Sequence, residues 1–322
     1  MEALMETISL GSSDIRISPI IMGTWQAGKA MWKDIEDKET LKAMRVALEN
    51  GITTFDTAEA YGNGHSERII GEALSDVRDQ VVLADKVFAN HLRYNQVINA
   101  CHKSLRNLQT DVIDLYQIHW PPGSFGQRPV SLEEPLRAMN ELKGQGKIRA
   151  IGVSNFNLQQ LTEACEYAAI DSLQPPYSLF WRSVEKDLLP YCRKQRITVL
   201  AYSPLAQGLL TGKFGPDHQF AKGDNRADNR LLQPEHYTRV QSALSQLQPL
   251  AEAKGITMGQ LALAWVIAQP STCAIAGARN ALQAAQNAAA MQVQLTGDDL
   301  AALDRIGKTV TDHLDDNPVP WQ

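Results

Sequence analysis

The feature that most constrains this chain is a rhythm. Eight short, mostly apolar runs recur along it, separated by segments of helical periodicity. The runs are Ile20–Met22, Ile52–Phe55, Val81–Asp85, Val112–Ile118, Ile148–Val153, Ser172–Gln174, Ile197–Ala201 and Cys273–Ala276. Near-continuous apolar strands are those that helices cover on the outside. Strands alternating with helices imply parallel pairing, and eight such units favour closure. The covers are visible too. Val97, Ile98, Cys101, Leu105 and Leu108 share one helical face, and Leu132, Leu136, Met139 and Leu142 share another. Ser131 with Glu134, and Asn157 with Gln160, have capping-box spacing. Gly51 follows Asn50 where a first helix must stop. The expected fold is α/β: a single (β/α)8 TIM barrel over residues 1–322, one domain, with an N-terminal hairpin (Thr7–Leu10 and Ile15–Ser18) and extra helices. The polar stretch Gln207 to Gln233 is long for a loop in a compact domain and reads as a functional lid or a disordered segment.

Composition removes several function classes. With 31 basic and 36 acidic residues and no basic block, nucleic acid is not an expected partner. No apolar stretch is long enough to span a membrane. Met1 to Leu10 has no basic start followed by an apolar run, so a cytoplasmic location is expected. Cys101, Cys165, Cys192 and Cys273 are scattered, without a C-x-x-C pair or a His at metal spacing. They read as reduced, buried thiols, and no metal is expected.

In a closed parallel barrel the reacting groups lie at the C-terminal strand ends. Asp56 ends the second run, Tyr61 follows in the next loop, Lys86 ends the third and His119 the fourth. Singly, each has a plainer role: a helix cap, surface packing, a solvated strand end, a core histidine. Together they suit carbonyl reduction. A hydride added to a carbonyl carbon leaves an alkoxide that needs a proton. A phenol supplies it, a lysine makes that phenol more acidic, an aspartate orients the lysine, and a histidine donates to the growing oxyanion. The common nicotinamide fingerprint G-x-G-x-x-G is absent, and Gly208 to Lys213 lacks phosphate-loop spacing.

Phe55-Asp56-Thr57-Ala58, Tyr61-Gly62, Ser66-Glu67, Gly71-Glu72-Ala73-Leu74, Gly152-Val153-Ser154-Asn155-Phe156 and Tyr202-Ser203-Pro204-Leu205 occur in that order. This set resembles the aldo-keto reductase superfamily over essentially the whole chain, on its bacterial side, which includes members related to potassium-channel β subunits. The resemblance implies a catalytic tetrad of Asp56, Tyr61, Lys86 and His119, with Tyr61 the general acid. Leu83-Ala84-Asp85 precedes Lys86 where the family often has Ala-Thr, which puts an extra acid beside the lysine.

It also implies NADP(H), bound across the barrel rim. Ser154, Asn155 and Gln174 would meet the carboxamide, and Tyr202 would stack on the nicotinamide. Gly23, Thr24, Trp25 and Asp56 would line the same pocket. Ser203, Leu205, Gln207, Gly208 and Leu210 would lie beneath the pyrophosphate. Gly277, Arg279, Gln283, Gln286 and Asn287 would meet the adenosine phosphate, Arg279 favouring a 2′-phosphate at a helix N-terminus. Gly223-Asp224-Asn225-Arg226 resembles a lid over the cofactor. Trp25, Tyr61, His119 and Trp120 would contact a small carbonyl substrate, with Phe125 and Trp181 as further wall. The implied activity is NADP(H)-dependent reduction of aldehydes and ketones. The alternative is an NADPH-sensing subunit with little turnover.

Overall fold

The computed structural model describes residues 7–29, 32, 34–220, 226 and 229–314. Residues Gly223 to Asn225 and the chain end from Asp315 therefore lie outside the described residues. A two-stranded antiparallel hairpin, β1 (Ile8–Ser9) with β2 (Arg16–Ile17), precedes the barrel. Eight parallel strands follow: β3 (Ile20–Gly23), β4 (Thr54–Asp56), β5 (Val82–Val87), β6 (Ile113–Ile118), β7 (Ile148–Ser154), β8 (Ser172–Gln174), β9 (Thr198–Tyr202) and β10 (Thr272–Gly277). They pair in chain order, and β10 pairs with both β9 and β3 to close the barrel.

Helices cover the outside: α1 (Asp37–Glu49), α2 (His65–Leu74), α3 (Tyr94–Leu108), α4 (Glu133–Gly144), α5 (Leu158–Tyr167), α6 (Leu188–Gln195), α7 (Pro234–Ala253), α8 (Met258–Ile267), α9 (Ala281–Ala289) and α10 (Gly297–Thr311). Asn157 and Gln160 form the expected capping box at α5. The second expected box does not form. Ser131 Oγ accepts from Glu133 N–H at 3.3 Å, while the Glu134 carboxylate accepts instead from Tyr94 N–H at 3.1 Å. Tyr94 opens α3, so Glu134 satisfies an orphan donor of the neighbouring helix rather than its own. Gly51 has φ +88°, as its place after α1 requires.

Side-chain alternation divides the core in two. Outward-facing Phe55, Leu83, Val87, Tyr116, Ile118, Val153 and Leu173 pack beneath the helices. Inward-facing Ile21, Ala84, Leu115, Ala150, Leu200 and Cys273 fill the lumen, with Leu10, Ile15 and Ile17 of the hairpin region packed against them. The hairpin is tied on by Gly11 N–H donating to Thr198 Oγ1 (2.8 Å) and Thr198 Oγ1 donating to Ser9 O (2.9 Å). One end of the lumen is thus closed by apolar side chains, and the strand C-termini open at the other. Gly62 makes a close backbone approach there. Its φ is +62°, and a Cβ on it would lie 2.2 Å from Gly28 O. The loop carrying Tyr61 thereby packs against the loop after β3.

Candidate active site

The same alternation aims Asp56, Lys86, Gln117, Ser154 and Gln174 into the open end of the lumen. The Lys86 ammonium has no exposed surface. It donates to Asp56 Oδ1 at 2.6 Å, Thr57 O at 2.7 Å and Tyr61 Oη at 3.4 Å. Burial disfavours this charge, but Asp56 and Tyr61 outweigh it and hold the ammonium above its ordinary pKa. Asp56 Oδ2 accepts from the Gln174 amide at 2.9 Å and the Gln117 amide at 3.4 Å, so both carboxylate oxygens are occupied.

Burial pushes the Tyr61 phenol above its ordinary value, and the opposing pull of Lys86 does not cancel it. The expectation concerned the pull of the lysine, toward a more acidic phenol. The lysine acts in that direction, but desolvation is the larger effect. The Tyr61 phenol therefore keeps its proton at neutral pH. The His119 ring stands edge-on to Tyr61, centroids 5.6 Å apart. Burial, then Lys86, pushes His119 well below its ordinary value. A neutral imidazole offers one ring N–H. Its Nδ1 is buried with no partner among the described residues.

A second cluster joins this one. Tyr202 Oη donates to Asn155 Oδ1 at 2.9 Å; the Asn155 amide donates to His119 O and Ser154 Oγ, both at 3.0 Å; Ser154 Oγ donates to Gln174 O at 2.8 Å. Asn155 sits at φ +63°, where asparagine is among the better-tolerated residues. The turn after β9 holds Ser203, Ala206, Gln207 and Gly208 all at positive φ. Within it Leu205 O accepts from Gly208 and Leu210 N–H, and the Leu210 side chain is buried in the core.

The third group lies at α9. Asn280 caps the helix by accepting from Gln283 N–H at 3.0 Å, and Arg279 N–H donates to Gln283 Oε1 at 2.8 Å. Asn287 donates to Gly277 O at 3.1 Å, and Gln286 is exposed. The Arg279 guanidinium lies 5.2 Å from the Trp32 ring centre.

Gly23, Thr24 and Trp25 follow or end β3. Thr24 is buried, donating to Asp56 O at 2.8 Å and accepting from Ser66 Oγ at 2.7 Å, so it fixes backbone. Trp25 lies against Tyr61 (6.5 Å) and Trp32 (5.3 Å). Trp120 and Phe125 stand edge to face at 5.1 Å. Trp181 is 2% exposed and belongs to the core, which removes it from the expected wall. The expectation of four buried thiols also needs correcting, since Cys165 is only partly buried; all four are free.

Four site neighbours went unread in the sequence. Gln117 follows from alternation, two residues before His119. Phe88, two residues after Lys86, packs on His119 (5.6 Å) and Phe125 (5.3 Å). Glu59 is buried and accepts from Phe88 N–H at 2.7 Å. Trp32 carried no local signal. Among the described residues no group of three His, Cys, Asp or Glu side chains is arranged to hold a metal, and no helix is long and apolar enough to cross a membrane.

Comparison with known proteins agrees with this architecture. The model of the aldo/keto reductase family matches residues 19–308. Aldo-keto reductase YhdN of Bacillus subtilis is 40% identical over 287 residues, 85% of each chain. An NADH-specific methylglyoxal reductase of Escherichia coli is 34% identical, over 92% of this chain and 96% of its own. The crystal structure of an aldo-keto reductase from Klebsiella pneumoniae in complex with NADPH superposes with a TM-score of 0.78. It is 33% identical and covers 98% of this chain and 99% of its own. With its fold, its lumenal Asp–Lys–Tyr chain and these matches, the protein belongs to the aldo/keto reductase family of oxidoreductases.

Proposed function

We propose that this protein is an NADP(H)-dependent reductase of aldehydes and ketones in which Tyr61 is the proton donor. The observation that carries the reading is the buried chain from Asp56 Oδ1 through Lys86 Nζ to Tyr61 Oη, at 2.6 and 3.4 Å. Nothing in barrel packing requires an ammonium there, and burying one has a cost that only its partners offset.

The residues present fit a nicotinamide cofactor. The linked amides and hydroxyls of Ser154, Asn155 and Gln174 suit a carboxamide, and Tyr202 offers a ring face beside them. The positive-φ turn from Ser203 through Leu205, Gln207 and Gly208 to Leu210 suits a pyrophosphate. Arg279, Gln283, Gln286 and Asn287 at α9 suit an adenosine phosphate, and Gly23, Trp25 and Gly277 border the same rim. When bound, the cofactor supplies the hydride. Tyr61 O–H hydrogen-bonds the carbonyl oxygen and gives up its proton as charge grows there. Lys86 stabilises the phenolate left behind, and Asp56 keeps the lysine in place. His119 donates its one ring N–H to the same oxygen. Trp25, Phe88, Trp120 and Phe125 supply apolar wall for a small carbonyl compound. Family membership does not choose between NADPH and NADH, since one relative is NADH-specific; Arg279 is what favours the 2′-phosphate. The four free cysteines accord with a cytoplasmic setting.

The test is Tyr61→Phe, followed by NADPH consumption with a panel of aldehydes. Loss of a general acid is expected to lower turnover by about 10²–10⁴-fold, while NADPH still binds. Unchanged turnover would remove Tyr61 as the donor.

A further inference from the structure

Strand β4 stops at Asp56, but the loop after it goes on pairing with β5. Thr57 N–H donates to Ala84 O at 2.9 Å, and Glu59 N–H donates to Lys86 O at 3.2 Å. The Glu59 side chain carries the pairing one donor further, since its Oε1 accepts from Phe88 N–H at 2.7 Å. His91, in the short turn that follows Phe88, brings Nδ1 within 3.0 Å of both carboxylate oxygens. A carboxylate only accepts, so this nitrogen carries the hydrogen. Glu59 is buried, while the His91 side chain is 41% exposed and reaches the surface. Burying a carboxylate is costly unless it is paired, and these two partners of Glu59 belong to the one segment that continues β5.

That segment bears on His119. The Phe88 ring stands edge-on to the imidazole at 5.6 Å and stacks on Phe125 at 5.3 Å. Tyr61 also stands edge-on to the imidazole, and Trp120 lies tilted against it at 6.4 Å. An imidazole is commonly aimed by a hydrogen bond at its second nitrogen. His119 has none there, because its Nδ1 is buried without a partner among the described residues. Its backbone is fixed, with His119 N–H donating to Val87 O at 2.9 Å, but a fixed backbone leaves the broad ring torsion free. Packing against neighbouring rings therefore sets the angle, and Phe88 is the neighbour whose backbone Glu59 holds. The Tyr61 loop has anchors of its own: Tyr61 N–H donates to Ala58 O at 3.0 Å, and Tyr61 O accepts from Ser66 N–H at 3.2 Å.

We propose that Glu59 is a positioning residue: by gripping Phe88 N–H and His91 Nδ1 it seats the Phe88 ring against His119, and so aims the imidazole at the carbonyl oxygen. The grip works through reach rather than charge, because what it fixes is where a ring lies. Aim matters, since a donor stabilises growing charge only at the position it points to. The kinetic half of this inference rests on the proposed role of His119 in carbonyl reduction; the seating of the ring does not.

Two variants separate reach from charge. Glu59→Asp keeps the charge and loses one methylene of reach, whereas Glu59→Gln keeps the reach and loses the charge. Removing a whole oxyanion donor costs about 10²–10³-fold in kcat, so misaiming one should cost Glu59→Asp about tenfold, with KM for a small aliphatic aldehyde within about twofold of the parent. Glu59→Gln should keep kcat within about threefold of the parent, because its amide oxygen still accepts from Phe88 N–H. A larger loss in Glu59→Gln than in Glu59→Asp, parent-like kcat in both, or a loss confined to KM overturns the proposal. In protein with labelled histidine and phenylalanine, NMR cross-peaks between the His119 and Phe88 rings should be lost in Glu59→Asp and kept in Glu59→Gln. Their survival in both variants, or their loss in both, overturns the seating of the ring. If Tyr61→Phe retained full turnover, the kinetic half would fall with the proposed function, while the cross-peaks would still decide whether Glu59 seats Phe88 against His119.

Discussion

Replacing Lys86 by Met keeps most of the side-chain volume and deletes the ammonium 3.4 Å from Tyr61 Oη and 2.6 Å from Asp56 Oδ1. At that separation from a phenolate, with an effective dielectric of ~20, a unit charge contributes about 5 kcal/mol, or about 3.5 pKa units. Part of this is offset by water and dipoles that relax into the space the ammonium leaves. The net rise in the Tyr61 pKa should be about 2 units. The equilibrium constant of the reaction fixes the ratio of forward to reverse kcat/KM at each pH. The shift must therefore appear as the same displacement in two profiles. In the parent, reduction falls at the alkaline end as the phenol ionises. In Lys86→Met that fall should leave the accessible range, and alcohol oxidation should climb about tenfold per pH unit throughout. Loss of the pair costs about 3–5 kcal/mol of stability, so urea unfolding must first show a folded population. Asp56→Asn combined with Lys86→Met removes the orphaned charge if the single variant is too weak. A limb at the parent's pH would refute the electrostatic account of Lys86.

Three further predictions concern separate parts of the molecule. Arg279→Ala should weaken NADPH about tenfold and NADH by less than about twofold in fluorescence titrations; equal losses would show that Arg279 does not meet the 2′-phosphate. Gly62→Ala places a Cβ 2.2 Å from Gly28 O at φ +62° and should cost more than about 2 kcal/mol in urea; a near-neutral result would mean that the two loops part easily. Hydrogen bonds from Lys254 and from Thr296 N–H hold the Asp299 carboxyl at about 2. Its stabilisation is therefore complete above the unfolded carboxyl's range, near 4, and lost as pH falls through about 2. The Tm gap between the parent and Asp299→Asn should close over that window, and a constant gap would contradict the assignment.

The barrel was legible because its outward strand faces are apolar, and all eight strands lie where those runs predict them. Their ends were less legible, for a physical reason. Asp56, Lys86, Ser154 and Tyr202 continue their strands into the polar upper lumen, where hydrophobicity stops marking a strand. Even Ser172–Gln174 is polar on its inward face, since Ser172 and Gln174 turn toward Gln117. Titratable members of the site stand out in a sequence, but Gln117 is neutral and Phe88 resembles any apolar residue. The pull of Lys86 on Tyr61 was legible, because adjacency to a lysine can be inferred from strand order, whereas the depth of burial that outweighs it was not. Glu134 illustrates the same limit: its spacing fits a cap on α4, but tertiary packing brings Tyr94 N–H closer.

Strand alternation also explains how one short segment serves two environments. In β5, Ala84 and Lys86 face the lumen while Leu83, Asp85 and Val87 face the helices. Lys86 is anchored by Asp56, Thr57 and Tyr61, and each is a local consequence of β4 and its loop. Asp85 instead faces the helix layer, with Glu67 and Ser104 among its neighbours, so that layer accommodates a second acid a peptide bond away from the ammonium. Were Asp85 ionised at neutral pH, Lys86 would lie between two carboxylates on opposite faces of the sheet, and the pull on Tyr61 would weaken. Burial, then Glu67, holds the Asp85 carboxyl well above its ordinary range, which favours its neutral form and leaves Asp56, at 2.6 Å, as the hydrogen-bonded counter-charge of the ammonium.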